Sequence, residues 1–156
     1  MAQVKVPRLA PEIEIVEASG RTAKLSSYRG DVVLLAFVVT SCSHCQAAST
    51  EFEKLKGEFG PRGFRVTEVA FDDNSDIPGY VKKLGLTFPV GRGNRTDVRR
   101  FLGIPQNMRI GTPQVVLIDR IGMIRAQSAP EGSPMLQSAE VLEGLIDTLL
   151  RRNVVL

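Results

Sequence analysis

Cys42 and Cys45 are the only cysteines in this chain of 156 residues, and they stand three apart in Ser41-Cys42-Ser43-His44-Cys45. Two cysteines scattered at random over this length would fall at that spacing about once in eighty trials, so the pair calls for a chemical reason. The chemistry it suits is thiol–disulfide exchange, in which one thiolate attacks a disulfide and its neighbour resolves the product. His44 sits beside both thiols. A protonated imidazole there favours the charged, reduced form, and whatever favours the reduced form makes the disulfide a stronger oxidant. Other readings stay open. A structural disulfide closing so short a loop gains only about 2 kcal/mol by the chain-entropy estimate. A zinc site needs four ligands, whereas the chain has one histidine and no second cysteine pair. The thiols could also be idle, and His44 a plain surface residue.

The flanking segments must position the pair. Val32-Val33-Leu34-Leu35-Ala36-Phe37-Val38-Val39 is too short to span a bilayer and suits a strand buried on both faces. After the pair, Cys45, Ala48, Phe52, Leu55 and Phe59 recur at steps of three and four, the apolar stripe of one helix. Cys42 is thereby placed at a strand-to-helix junction. Free amides and the positive end of the helix dipole favour a thiolate there, which makes Cys42 the nucleophile. Cys45, on the stripe, becomes the sheltered resolving thiol.

Composition frames this as a single domain over residues 1–156, with 43% hydrophobic and 24% charged residues, which excludes a disordered chain. The net charge of +3 and the run Arg92, Arg95, Arg99, Arg100 and Arg109 raise nucleic-acid binding. Few aromatics are interleaved to stack on bases, so a solvated basic face, or one that meets an acidic protein, is the better reading. Met1 to Ile15 has no continuous apolar h-region and no run reaches membrane-spanning length. The chain is expected to be extracytoplasmic if a signal or anchor was removed, and cytoplasmic otherwise.

Along the rest of the chain, Ile13 to Lys24 predicts a hairpin turning at Ser19-Gly20. Phe64 to Phe71 predicts a strand, Asp76 to Leu84 a helix stopped at Gly85, and Thr87 to Val90 a brief extended piece. Asn94 caps a helix ending at Gly103, and Val115–Asp119 with Met123–Gln127 form a hairpin across Gly122. A last helix carries Val141, Leu142, Leu145, Ile146, Leu149 and Leu150. Alternating strands and helices closed by a hairpin give an α/β fold around a mixed central sheet flanked by helices.

Several collinear motifs carry a resemblance. Ala10-Pro11-Glu12-Ile13, Leu25-Ser26-Ser27-Tyr28-Arg29-Gly30, the apolar strand with its cysteine pair, Gly85-Leu86-Thr87-Phe88-Pro89-Val90 and Gly111-Thr112-Pro113 together resemble the TlpA/ResA group of thioredoxin-fold thiol-disulfide oxidoreductases. The likeness runs from about Val6 to the final helix. It implies a thioredoxin-like fold with an N-terminal hairpin and a central insertion of the TlpA type. It also implies that Pro113 is cis and lies beside Cys42, with the Thr112 backbone pairing to an extended substrate segment. From sequence alone a trans proline at a strand start is the plain reading.

The chain also departs from that group. Ser41 stands where relatives commonly have Trp, and His44 where reducing members often have Pro, which looks instead like oxidising and isomerase-type members. The buried acid that thioredoxins carry six residues before the nucleophile is Ala36 here. Glu68 is a replacement candidate, since it lies mid-strand on the face of Val66 and Ala70. Buried near Cys45, it would have a raised pKa and could take the proton of the resolving thiol. The alternative is a Glu reaching solvent at the sheet end, paired with a lysine or arginine.

The resulting expectation is a monomer that exchanges a Cys42–Cys45 disulfide or dithiol with partner proteins through a mixed disulfide, in step with an upstream redox partner. Cys42, Cys45, His44 and Glu68 would carry the chemistry and Thr112 and Pro113 would position the partner, with no metal or organic cofactor. Two alternatives stand beside it: a thiol peroxidase using Cys42 on the same fold, and a redox-inert module that holds a protein or metal near Pro113.

Overall fold

A computed structural model describes residues 5–152. The chain opens with β1 (Arg8–Leu9) and the hairpin β2 (Glu14–Glu17) and β3 (Thr22–Lys24), then passes through a short 3-10 turn at Leu25–Tyr28. Next come β4 (Val32–Val38), α1 (Ser43–Phe59), β5 (Phe64–Ala70), α2 (Ile77–Leu84), β6 (Val90–Arg92) and α3 (Arg95–Leu102). The hairpin β7 (Gln114–Ile118) and β8 (Met123–Gln127) and the helix α4 (Ala139–Arg151) complete it. All eight strands join one mixed sheet in the order β1-β8-β7-β4-β5-β6-β2-β3, with β4 parallel to β5 and antiparallel to β7. Helix α2 and strand β6, inserted between β5 and α3, occupy the expected central insertion and link the core strands to the N-terminal hairpin.

Every residue of β4 is buried, because helices cover both faces of the sheet at its centre. Val32, Leu34, Ala36 and Val38 face the core shared with α1, α2 and α4, while Val33, Leu35 and Phe37 face the core shared with α3. The apolar stripe of α1 behaves as its periodicity predicts, with Cys45, Ala48, Phe52, Leu55 and Phe59 buried. Asp76, Asn94 and Ser138 cap α2, α3 and α4 through their side chains. Gly85 and Gly103 end α2 and α3 with φ of 65° and 71°, a conformation that a side chain would strain.

Two local expectations need correction, and one strand was missed. The extended piece is not Thr87–Val90 but Val90–Arg92. Thr87 is drawn off by Glu53 of α1, which accepts its N–H at 2.7 Å and its hydroxyl at 2.6 Å, and Pro89 has no N–H to offer a ladder. In α4, Leu145 is exposed and Val141 only half-buried, since the face packed on the sheet is Leu142, Ile146, Leu149 and Leu150. Strand β1 went unseen because two residues carry no periodic signal; it pairs with β8, and Arg8 pins it through the Phe101 carbonyl and Gln127.

Candidate active site

Strand β4 delivers the chain to a turn that presents Cys42. Asp72, just past β5, accepts the Thr40 N–H at 3.1 Å and the Thr40 hydroxyl at 2.6 Å, and Gln46 donates to the Thr40 carbonyl at 3.0 Å. Cys42 is itself the N-cap of α1, and its Sγ accepts the N–H of Cys45 at 3.4 Å. Both cysteines are free thiols; Cys42 is half-buried and Cys45 fully buried.

Seventy residues further on, the Thr112–Pro113 bond is cis and borders this thiol. The Thr112 hydroxyl donates to Cys42 Sγ at 3.4 Å, and the Thr112 carbonyl oxygen lies 3.9 Å from the same sulfur. The loop is anchored by Gln114, whose Nε2 donates to the carbonyls of Gly111 and Ala129 at 2.8 and 3.0 Å. Gly111 has no room for a side chain, because a Cβ would stand 2.0 Å from the Glu131 carbonyl oxygen. The Gly-Thr-Pro motif marked this loop, whereas the anchoring role of Gln114 had no signal in the sequence.

The electrostatics separate the two sulfurs. Burial pushes the Cys42 thiol up, but the Thr112 hydroxyl, the Cys45 amide and thiol and the His44 amide together hold it below the ordinary value. Burial instead pushes Cys45 up to about 12. Cys42 is therefore the group that ionises first and Cys45 keeps its proton. The His44 side chain is exposed, and its effect on Cys42 comes through its backbone N–H.

Glu68 is fully buried, and it is the register partner of Ala36, so the acid lies one strand across from the position that thioredoxins use. Ser49 donates to its Oε2 at 2.7 Å, while Oε1 has no hydrogen-bond partner. No lysine or arginine pairs with it among the described residues. Burial, partly offset by the Ser49 bond, raises its pKa to about 8. Ser49 in turn shares a 2.7 Å hydrogen bond with the Tyr80 hydroxyl, which lies 3.3 Å from the Cys45 carbonyl oxygen. Neither Ser49 nor Tyr80 was foreseen. The available signal was a hydroxyl at position 49 on an otherwise apolar face, four residues after Cys45.

Three arginines of the basic run are engaged locally: Arg99 donates to the carbonyls of Pro105 and Met108, Arg92 to Ser75, and Arg100 pairs with Asp97. Among the described residues, no three His, Cys, Asp or Glu side chains gather to hold a metal, and no helix is long and apolar enough to cross a membrane.

The chain is similar to known proteins along most of its length. The family model described as "AhpC/TSA family" matches residues 6–127. ResA, a thiol-disulfide oxidoreductase of Geobacillus thermodenitrificans, is 25% identical over 123 residues, covering 78% of this chain and 68% of that one. A candidate glutathione peroxidase 8-B of Xenopus laevis is 38% identical over 88 residues, but the match takes in 49% of this chain and only 41% of the relative. Among solved structures, a candidate thiol:disulfide interchange protein DsbE from Chlorobium tepidum superposes with a TM-score of 0.76 at 26% identity, covering 92% of this chain and 96% of that one. The thioredoxin-like fold expected from the motifs is thus the fold observed.

Proposed function

The chain belongs to the AhpC/TSA family, and on that footing we propose that it is a thiol-disulfide oxidoreductase working on protein dithiols or disulfides. The observation that carries the reading is the asymmetry of the pair: a half-exposed Cys42 whose thiolate form an amide and a hydroxyl favour, beside a buried Cys45 whose thiol burial protects.

In the reducing direction the Cys42 thiolate attacks one sulfur of a partner disulfide. The partner's S–S bond breaks, its other sulfur leaves as a thiolate that takes a proton from solvent, and a mixed disulfide remains. Cys45 then passes its proton to Glu68 and attacks the Cys42 sulfur. The Cys42–partner bond breaks, the second partner thiol is released, and the two electrons gained by the partner leave a Cys42–Cys45 disulfide. Run backwards, the same steps oxidise a partner dithiol, and an upstream redox partner resets the pair. Thr112 and Pro113 form the edge on which an extended segment would dock, with main-chain contacts supplying affinity and little sequence preference. His44 adds to thiolate stability through its amide, and its imidazole lies on the surface that a partner would meet.

Equilibration of the pair in graded glutathione or dithiothreitol buffers, read by thiol trapping and mass, tests this. A reversible two-electron titration, with Cys45→Ser accumulating a mixed disulfide and Cys42→Ser forming none, supports it. Failure to form the disulfide in any buffer overturns it. The glutathione peroxidase likeness supports a second reading, in which the Cys42 thiolate attacks a peroxide oxygen, the O–O bond breaks, the other oxygen leaves as water or an alcohol after taking a proton, and Cys45 condenses with the resulting sulfenic acid to give the disulfide and water. Peroxide consumption that disappears in Cys42→Ser would favour that chemistry.

A further inference from the structure

The buried chain from Glu68 through Ser49 and Tyr80 to the Cys45 carbonyl has more acceptors than protons. Ser49 and Tyr80 each own one hydroxyl proton, yet three contacts must share them: Ser49 to Glu68 Oε2, Ser49 to Tyr80, and Tyr80 to the Cys45 carbonyl. With Glu68 ionised, Ser49 donates to the carboxylate and Tyr80 donates to Ser49, so the Cys45 carbonyl receives nothing from Tyr80. With Glu68 protonated on Oε2, the carboxyl donates to Ser49, Ser49 to Tyr80, and Tyr80 to the Cys45 carbonyl. Each arrangement uses both hydroxyl protons, and the proton on Glu68 selects between them.

We propose that Ser49 and Tyr80 are positioning residues which, with Glu68, form a reversible hydrogen-bond chain: its direction follows the proton on Glu68, and it reports that proton to the backbone of Cys45. Three elements converge to build it, since Glu68 lies on β5, Ser49 and Cys45 on α1, and Tyr80 on the inserted α2. Ser49, Glu68 and Tyr80 are all at most 5% exposed, which keeps water from completing the contacts in their place. The titratable group that acts on Glu68 is Tyr80 from α2, which Cys45 and Cys42 also reach electrostatically; the strand neighbours of Glu68, Ala36 and Val90, carry no charge. Tyr80 stays neutral, because burial and the nearby Glu68 push its hydroxyl well above the usual phenol range. Ser49 engages Oε2 and leaves Oε1 without a partner, so one oxygen steadies the carboxylate while the other is unoccupied.

This rests on the reading of Glu68 as the proton acceptor in the proposed exchange, but it can fail or stand separately. The test is direct titration of the Glu68 side chain by carbon-13 NMR, first in the disulfide form, where neither cysteine titrates, and then in the dithiol form. Ser49→Ala removes the donor to the carboxylate and is expected to raise the Glu68 midpoint by about one pH unit. Tyr80→Phe removes one contact from the ionised arrangement and two from the protonated one, so it is expected to lower the midpoint by a few tenths, about the size of the cooperative part of one hydrogen bond. The double variant is expected to match Ser49→Ala alone, a non-additivity that a merely structural role would not produce. A midpoint unmoved in Ser49→Ala, or additive shifts in the double variant, overturns the chain. If the midpoints move as expected while the rate of mixed-disulfide resolution keeps its pH profile, the chain stands and the acceptor role of Glu68 is what fails.

Discussion

The Thr112 hydroxyl is the only side-chain oxygen that donates to the Cys42 sulfur among the described residues, and Thr112→Val deletes it while keeping a branched side chain of similar size. In the thiol form the Cys42 S–H can point toward the Thr112 carbonyl at 3.9 Å, and in the thiolate form the Thr112 O–H, at 3.4 Å, donates to the sulfur. The valine variant therefore loses a bond that favours the thiolate and keeps one that favours the thiol. Hydrogen bonds to ionised groups contribute roughly 1.5–3 kcal/mol, but sulfur is a soft acceptor and solvent screens a half-exposed site, so about 1 kcal/mol is the working figure. That corresponds to a rise of about 0.7 in the Cys42 pKa. Above that pKa the reduced form loses the same amount, which makes the couple about 20 mV more reducing. The pH dependence of Cys42 alkylation, together with the disulfide equilibrium against glutathione, measures both. A folded Thr112→Val protein whose midpoint moves by less than about 0.2 would refute the assignment, leaving the helix amides to hold the thiolate alone.

His44→Ala and His44→Pro separate the imidazole from the amide: proline removes the N–H that helps Cys42 and is tolerated in a first helical turn, so it should raise the Cys42 pKa by about half a unit or more. Alanine should move it less, since the imidazole is exposed; equal shifts would return the effect to the side chain. Glu68 binds a proton more tightly folded, near 8, than unfolded, near 4.3, so its contribution to stability is fully present below about pH 4 and is lost as pH rises through 8. Glu68→Gln should flatten the fall in urea midpoint between about pH 5 and 8, and an unchanged slope would place the titration elsewhere. Asp119 is 4% exposed and accepts from the amides of Ile121 and Met123 and from Arg125 at 2.7 Å. Asp119→Ala should lower stability by about 2–3 kcal/mol, and a loss under about 0.5 kcal/mol in urea unfolding would show that the β7–β8 turn does not depend on it.

Much of the site could be read from the sequence because it is built from local geometry. A doubly buried strand followed by a stripe at steps of three and four leaves Cys42 at the junction and Cys45 on the covered face, whatever the rest of the chain does. The caps Asp76 and Asn94 and the stops Gly85 and Gly103 act within one turn, so four of the helix ends were legible before any contact was known. Thr87–Phe88 read as extended yet is tied to α1, because Glu53 competes for the N–H a strand would have used. What periodicity and spacing, without the family resemblance, could not decide was which distant groups meet. Thr112 reaches Cys42 across seventy residues, Tyr80 reaches Ser49 across thirty-one, and Glu68 is sealed from solvent by helices whose own patterns do not mention it. A period of two places Glu68 on a face, but only the packed layers fix whether that face is wet, and the carboxyl's affinity for its proton depends on that burial.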